Sequence, residues 1–417
     1  MTMSNGPNKD RSTERPSVLL IGGPDVDARL DLMFELRDRY DVRAAGTATD
    51  LEPRFREASF GYDFYPLGRG ANPLSDLRAF ISLVRVCKER RPDVIHTFDT
   101  KPCVFGRLAA RVAKVPVIVG TIPGLGTLYV KKDIVTRLVR FVYERLQKSA
   151  CAVADITVFQ NGEDRKEFIG RGLIHPRKAT VIPGSGVKTD RFVRSEVVAT
   201  MSAKLRRELG IARDAVVVTM VSRLIRSKGV MEYAAAAEEL KEDCPQARFI
   251  LVGSYDSDSA DPLSPSELKW VAERVQCLGK RTDIPVILAA SDVFALPSFY
   301  REGIPRSLLE AASMSLPLIT TDWPGCNEVV RDGVNGFMVP TREVESLARA
   351  VRRLVVDSAL RERFGRASRK LAVSRFDLSV IAHQIDTLYH ELLAQKRQAQ
   401  RDSSSLPVEK WRPVSSS

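Results

Sequence analysis

The segment FALPSFYREGIPRSLLEAASMSLPLITTDWPGCNEVVRDGVNGF, from Phe294 to Phe337, decides the fold. An apolar strand ends near Pro297. A polar loop then carries Glu302, Gly303, Ile304 and Pro305, and a helix starts near Arg306. LPLITTD is a second short apolar run, and GFMVP begins a third. Short apolar strands alternating with longer amphipathic helices build a parallel sheet covered by helices on both faces.

The same alternation extends outward from this segment. VVVTMVSR (Val216 to Arg223) and ARFILVGS (Ala247 to Ser254) read as strands on either side of the helical GVMEYAAAAEEL. Nearer the start, SVLLIGG (Ser17 to Gly23), PDVIHTF and PVIVGT are strands, with helices in DARLDLMFELRDRY and KPCVFGRLAARVAKV. The pattern restarts after about residue 190. The chain is therefore α/β, with two doubly wound Rossmann-like domains at residues 16–190 and 191–375 and a hinge near Ile182 to Phe192. DLSVIAHQIDTLYHELLA, within residues 376–395, has helical periodicity and is expected to pack back across the hinge. Residues 1–15 and 396–417 are polar and are expected to be disordered.

Bulk composition narrows the class. A chain of 417 residues exceeds one ordinary core, and 44% hydrophobic with 28% charged residues is the balance of a soluble globular protein. No stretch approaches the roughly 18–20 apolar residues of a membrane-spanning helix. The opening MTMSNGPNKDRSTERPS has no apolar run, so no secretory signal is expected. Six cysteines without C-x-x-C spacing read as reduced thiols of a cytosolic protein. The net charge of +12 calls for an anionic partner, and it is concentrated: residues 101–180 hold 15 Lys and Arg against six Asp and Glu. Without a helix-turn-helix or aromatic-interleaved pattern, nucleic acid is not the expected partner. A diphosphate-bearing substrate and an anionic membrane surface both fit.

Pro305 suits a helix entrance, and the amides behind it belong to the carboxyl edge of a sheet, where open α/β folds bind ligands. Glu302 lies just before that helix and Glu310 early on it, so both can face one cleft. This segment resembles the donor-binding region of the family 4 retaining glycosyltransferases, whose fold of two Rossmann-like domains facing across a cleft is called GT-B. Their E-x7-E motif matches Glu302 and Glu310, and their R-x4-K pair matches Arg223 and Lys228 in VSRLIRSKGV. The resemblance implies that Glu302 contacts the donor sugar and Glu310 the ribose, with Gly303, Ile304, Pro305, Arg306 and Ser307 lining the donor site. Fixed cations at Arg223 and Lys228 would stabilise a departing nucleoside diphosphate without a metal or another cofactor. Asp25-Val26-Asp27 and Asp256-Ser257-Asp258 have a metal-binding D-x-D spacing, but acid-rich loops are also ordinary turn chemistry.

The first domain is expected to hold the acceptor, with Gly22, Gly23, His96 and Gly124 as candidates. TIPGLGTLY (Thr121 to Tyr129) has Pro123 where the family often has histidine, so no role passes to that position. IPGSGV, FYREGIPRSLLEA and TTDWPGCNEVVRDGVNGF are similar to the branch that extends polyprenyl-diphosphate-linked sugars in bacterial glycan assembly. After TIPGLG comes YVKKDIVTRLVRFVYERLQKSA, with Ile134, Leu138, Phe141 and Val142 as an apolar stripe flanked by Lys131, Lys132, Arg137, Arg140, Arg145 and Lys148. This helix fits either an anionic membrane interface or an ordinary core helix with a basic solvated face.

The resulting expectation is transfer, with retention, from a nucleotide sugar (UDP-sugar favoured) to a lipid-linked saccharide acceptor, by a cytoplasmic protein peripheral to the inner face of the membrane. A soluble acceptor, a nucleotide-sugar 2-epimerase and a non-catalytic two-lobed binding protein are the competing readings. Donor sugar, linkage and oligomeric state are not legible.

Overall fold

The structure is a computed structural model that describes residues 15–68, 72–130 and 133–404. By internal contacts the chain divides into two compact units. The first comprises residues 1–120, 153–155 and 384–417, and the second residues 121–152 and 156–383. Two parallel sheets carry the fold. The first contains β1 (Ser17–Ile21), β2 (Asp41–Gly46), β3 (Gly61–Phe64), β4 (Val94–Thr97), β5 (Val117–Ile122), β6 (Ile156–Phe159) and β7 (Ala179–Val181), in the order β3-β2-β1-β4-β5-β6-β7. The second contains β8 (Val216–Val221), β9 (Ala247–Val252), β10 (Gln276–Cys277), β11 (Val293–Leu296), β12 (Leu318–Thr321) and β13 (Gly336–Val339), in the order β10-β9-β8-β11-β12-β13. Both are the Rossmann-like arrangement expected from the sequence.

Strand order reverses between β1 and β4 in the first unit and between β8 and β11 in the second. These are the topological switch points at which such sheets bind ligands. The strands beside them are buried on both faces, as the run Val293, Phe294, Ala295 and Leu296 shows, which explains their unbroken apolar sequence. Helices Val230–Glu239, Arg306–Ser313 and Val344–Val356 close over the second sheet around Tyr233, Leu308 and Leu347.

One side chain ties the second unit together. The Arg369 guanidinium donates to the carbonyls of Thr189, Phe192 and Ser313 and to the Ser313 hydroxyl, all at 2.7–2.9 Å. The chain segment before the second sheet is thereby fixed to the end of helix Arg306–Ser313. Val187 exchanges backbone hydrogen bonds with Phe376 and Leu378, which sets where the last helix, Leu378–Ser404, begins. That helix supplies residues to both units. In the first, Tyr389 is buried edge-on to Tyr40, and Asp386 accepts from the Tyr40 hydroxyl at 2.9 Å. The helix also runs to Ser404, past the point near Gln395 where a disordered tail was expected. AQKRQAQR is polar but made of good helix formers, and propensity there outweighs the lack of an apolar face.

Arg369→Ala should lower stability by about 2–4 kcal/mol, because it strands several carbonyls at once. Urea denaturation, read as a lower midpoint at unchanged m-value, checks this.

Candidate active site

At the end of β8 the chain passes through Ser222 and Arg223 into one 3-10 turn, Arg226–Lys228. Gly229 follows with φ 79°, and a Cβ there would lie 2.1 Å from the Pro297 carbonyl oxygen. Only glycine allows this backbone to rest on the end of β11. The Phe299 amide then donates to the Ser227 carbonyl at 2.8 Å. This close packing brings Lys228 to Glu302: Nζ donates to Oε1 at 2.6 Å, with the two side chains 10% and 17% exposed. The ammonium also lies 5.3 Å from the centre of the Tyr300 ring. Arg223 reaches the same ring at 5.8 Å and pairs with Asp256 at 2.7 Å.

A second close approach supports the loop from its other side. Gly124, at φ 141°, forms an isolated β-bridge with Glu302, and the Gly126 amide donates to the Arg301 carbonyl at 2.7 Å. A Cβ on Gly303 would fall 2.3 Å from the Pro123 carbonyl oxygen and 2.0 Å from Gln160 Oε1. Asn161 Nδ2 donates to the Gly303 carbonyl at 3.1 Å. The TIPGLG and REGIP segments, read separately in the sequence, are thus zipped backbone to backbone. In the second unit Gly124 supports the loop carrying Glu302.

Helix Arg306–Ser313 begins after Pro305, which caps it without a side-chain hydrogen bond. Asn72, Asn161, Ser195, Ser264 and Asp357 cap other helices through their side chains, whereas the entrances at Asp99, Gly229 and Glu343, like that at Pro305, have no side-chain cap. Proline has no side-chain oxygen to accept from first-turn amides; the Leu308 amide turns back to the Pro305 carbonyl at 3.1 Å, and the positive dipole end of the helix lies at this entrance. Ile304 is buried, and Arg306 is exposed beside the half-buried Ser307. Glu310 is largely buried, 3.2 Å from Arg306 Nε. Burial pushes its carboxyl pKa up, opposed by Arg306 and Arg191. Lys228, Glu302 and Arg223 thus gather around Tyr300, while Glu310 is held by Arg306 on the helix that follows.

The first unit presents a different set. Gly22 and Gly23 follow β1, with the Gly22 carbonyl accepting from the Tyr65 hydroxyl at 2.7 Å. The Gly23 amide donates to Asp99 Oδ2 at 2.8 Å. Asp99 stands at φ 67°, ψ 176°, a region otherwise left almost entirely to glycine. Burial raises its pKa, opposed by Arg29 and the Gly23 amide. Sequence reading missed Asp99, because its only signal, the strained backbone, is invisible in letters. It had pointed to His96 instead. His96 is fully buried, stacked on Phe98 at 4.3 Å between ring centroids and 2.6 Å from the Tyr389 hydroxyl. Burial pushes its pKa down to about 3, so it is a neutral core histidine rather than a cleft-lining group. The β4 strand, buried on both faces, leaves no open side for it.

Of the two D-x-D segments, Asp27 pairs with Arg54 and Asp256 with Arg223. Among the described residues no group of three His, Cys, Asp or Glu could hold a metal ion. Arg137 and Phe141 lie exposed on helix Ile134–Val153, while Lys131 and Lys132 fall outside the described residues.

Two Rossmann-like sheets with Lys228 and Glu302 paired at the second switch point are compatible with a nucleotide-sugar-dependent transferase. Comparison with known proteins agrees. The model "Glycosyl transferases group 1" matches residues 201–371, and "Glycosyl transferase 4-like domain" matches residues 22–184. The chain is 30% identical over 372 residues to the UDP-Gal:alpha-D-GlcNAc-diphosphoundecaprenol alpha-1,3-galactosyltransferase of Escherichia coli, covering 87% of this chain and 92% of that protein. It is 29% identical to the N,N'-diacetylbacillosaminyl-diphospho-undecaprenol alpha-1,3-N-acetylgalactosaminyltransferase of Campylobacter jejuni, covering 88% and 95%. Among solved structures, Anabaena HepE in complex with UDP superposes with a TM-score of 0.72 at 22% identity, covering 90% of this chain and all of that one. A glycosyltransferase of Rickettsia africae gives 0.75 at 18% identity, covering 91% and 99%. The chain belongs to the group 1 glycosyltransferases, with the 4-like domain at its N-terminal side, and its fold is GT-B.

Glu310 gives a pH test. Its folded pKa lies above its unfolded value, so folding favours the protonated carboxyl, and ionising it costs stability as pH rises through the folded pKa. Glu310→Gln should therefore raise Tm near neutral pH. The Tm gain should vanish as pH falls below the usual carboxylate range, which thermal melts across pH will show.

Proposed function

We propose that this protein is a retaining, metal-independent glycosyltransferase that moves a sugar from a UDP-sugar to a polyprenyl-diphosphate-linked saccharide. The observation that carries the reading is the Lys228–Glu302 pair set against the uncapped helix entrance at Pro305. A donor diphosphate at that entrance accepts from its amides, and Arg223 and Lys228 stabilise the charge that builds as the sugar leaves. Glu302, already hydrogen-bonded to Lys228, is available to a sugar hydroxyl, and Glu310 to the ribose. The acceptor hydroxyl attacks C1 on the face the diphosphate is leaving. The C1–O bond to the diphosphate breaks, the new glycosidic bond forms, and the hydroxyl proton goes to the departing phosphate oxygen. The fixed cations remove the need for a metal in this scheme.

UDP is favoured because the E. coli relative is named for UDP-Gal and HepE was crystallised with UDP. The lipid-linked acceptor follows from the names of the two relatives that match most of the chain. Lys228→Ala should lower kcat at least about 100-fold with a panel of nucleotide sugars and a polyprenyl-diphosphate saccharide acceptor, read by mass shift. Near-normal turnover would remove Lys228 from the mechanism.

A membrane-bound acceptor also requires the protein to reach the bilayer. Among the described residues no helix is long and apolar enough to cross one. Helix Ile134–Val153, however, leaves Ile134, Val135, Leu138, Phe141 and Val142 between 51% and 81% exposed. Its buried side is instead Gln147, Ala150 and Cys151. An apolar face left in water beside Arg137, Arg140 and Arg145 is the pattern of a helix lying in an anionic interface, here the cytoplasmic leaflet. The wild-type chain should float with vesicles containing phosphatidylglycerol and less with pure phosphatidylcholine. Leu138→Glu with Phe141→Glu should abolish flotation while leaving Tm unchanged.

A further inference from the structure

Beside the donor site lies a groove of about 800 Å³ that none of the steps above uses. Its volume is within the roughly 300–1,000 Å³ of small-ligand sites. One wall is a single face of helix Gly162–Gly170, through Glu163, Lys166 and Gly170. The other is the turn after β12, with Asp322, Trp323 and Asn327. Asn327 Nδ2 donates to Glu163 Oε1 at 3.0 Å and to Asp322 Oδ1 at 3.1 Å, so the two walls are pinned together. Arg301, which also lines the groove, is the residue immediately before Glu302. The groove and the donor site therefore share one loop.

We propose that this groove is a saccharide subsite, holding the sugar portion of the acceptor while one of its hydroxyls meets the donor. The inference rests on the transferase reading above. The lining chemistry selects sugar over phosphate. Three cations, Lys166, Arg171 and Arg301, face three carboxylates, Glu163, Glu167 and Asp322, so no surplus positive charge waits for an anion. The two arginines are neutralised from within, Arg301 by the buried Asp164 at 2.8 Å and Arg171 by Glu167 at 2.5 Å. What remains is an array of paired donors and acceptors beside an indole, which suits a ring with many hydroxyls and one apolar face. The Trp323 indole lines the groove, and its buried N–H has no acceptor among the described residues. A Cβ on Gly170 would meet nothing within 4 Å, so a bulky side chain at this lining position has room to enter the groove.

The test uses the full chain with Trp270 and Trp411 replaced by phenylalanine, leaving Trp323 as the one indole of three. Its emission is titrated with a short-chain prenyl-diphosphate disaccharide, with the same prenyl diphosphate lacking sugar, and with UDP. A saturable change with the disaccharide and none with the bare diphosphate is expected. Trp323→Ala and the groove-filling Gly170→Phe should each raise KM for the acceptor about tenfold or more, with kcat and UDP affinity kept. An equal response to the bare diphosphate, or an unchanged acceptor KM in both variants, overturns the subsite. Normal UDP binding with an indifferent groove overturns the subsite alone, whereas a chain that binds no nucleotide at all sinks the transferase reading as well.

Discussion

The contact on which the candidate site depends is the meeting of two backbones, Gly229 against Pro297, and the ion pair that it creates between Lys228 and Glu302. The two residues belong to different strand ends and are 74 positions apart in sequence. A β-carbon at residue 229 would hold those strand ends apart, and the ammonium would lose its carboxylate in a largely desolvated place. The cost of burying both charges is offset by their short hydrogen bond and by the Tyr300 ring beneath the ammonium. Arg223, Tyr300 and the entrance at Pro305 are arranged around that pair.

The helix entrance shows how local sequence serves chemistry. A serine or aspartate at position 305 would satisfy the first-turn amides internally and stabilise the helix by about 1 kcal/mol. Proline forgoes that and keeps the chain turned into the helix. Glu310 tells the same story from the opposite charge. Its carboxylate is held in a buried place that disfavours ionisation, with Arg306 and Arg191 limiting the penalty. Both features lower stability at the place where ligand binding can restore it.

The two parallel sheets were legible in the letters because fully buried strands write themselves as short apolar runs. Glu302, Glu310, Arg223 and Lys228 could be picked out as candidates because they occupy local spacings near strand ends. What the letters did not show were contacts made at long range. Gly124 looked like a ligand-facing glycine until its bridge to Glu302 appeared. His96 looked available because a strand end was expected to open outward, yet Phe98 and Tyr389 enclose it. Asp99 carried no letter pattern at all. The groove beside Trp323 joins segments about 160 residues apart through Asn327 and Glu163. No spacing rule reaches that far.

Gly124, Gly303 and Gly325 share one tight stack: a Cβ on Gly325 would sit 2.0 Å from the Gly303 carbonyl oxygen, and one on Gly124 2.6 Å from the Gly303 amide. Three neighbouring positions are therefore closed to every other amino acid, and the backbone packed against the Glu302 loop has no side chains to vary there. Change in this part of the scaffold could not come from mutating those glycines. Diversification is forced outward, onto rim residues such as Tyr300 and Trp323, so descendants of this scaffold would keep the same glycines while differing in what surrounds them.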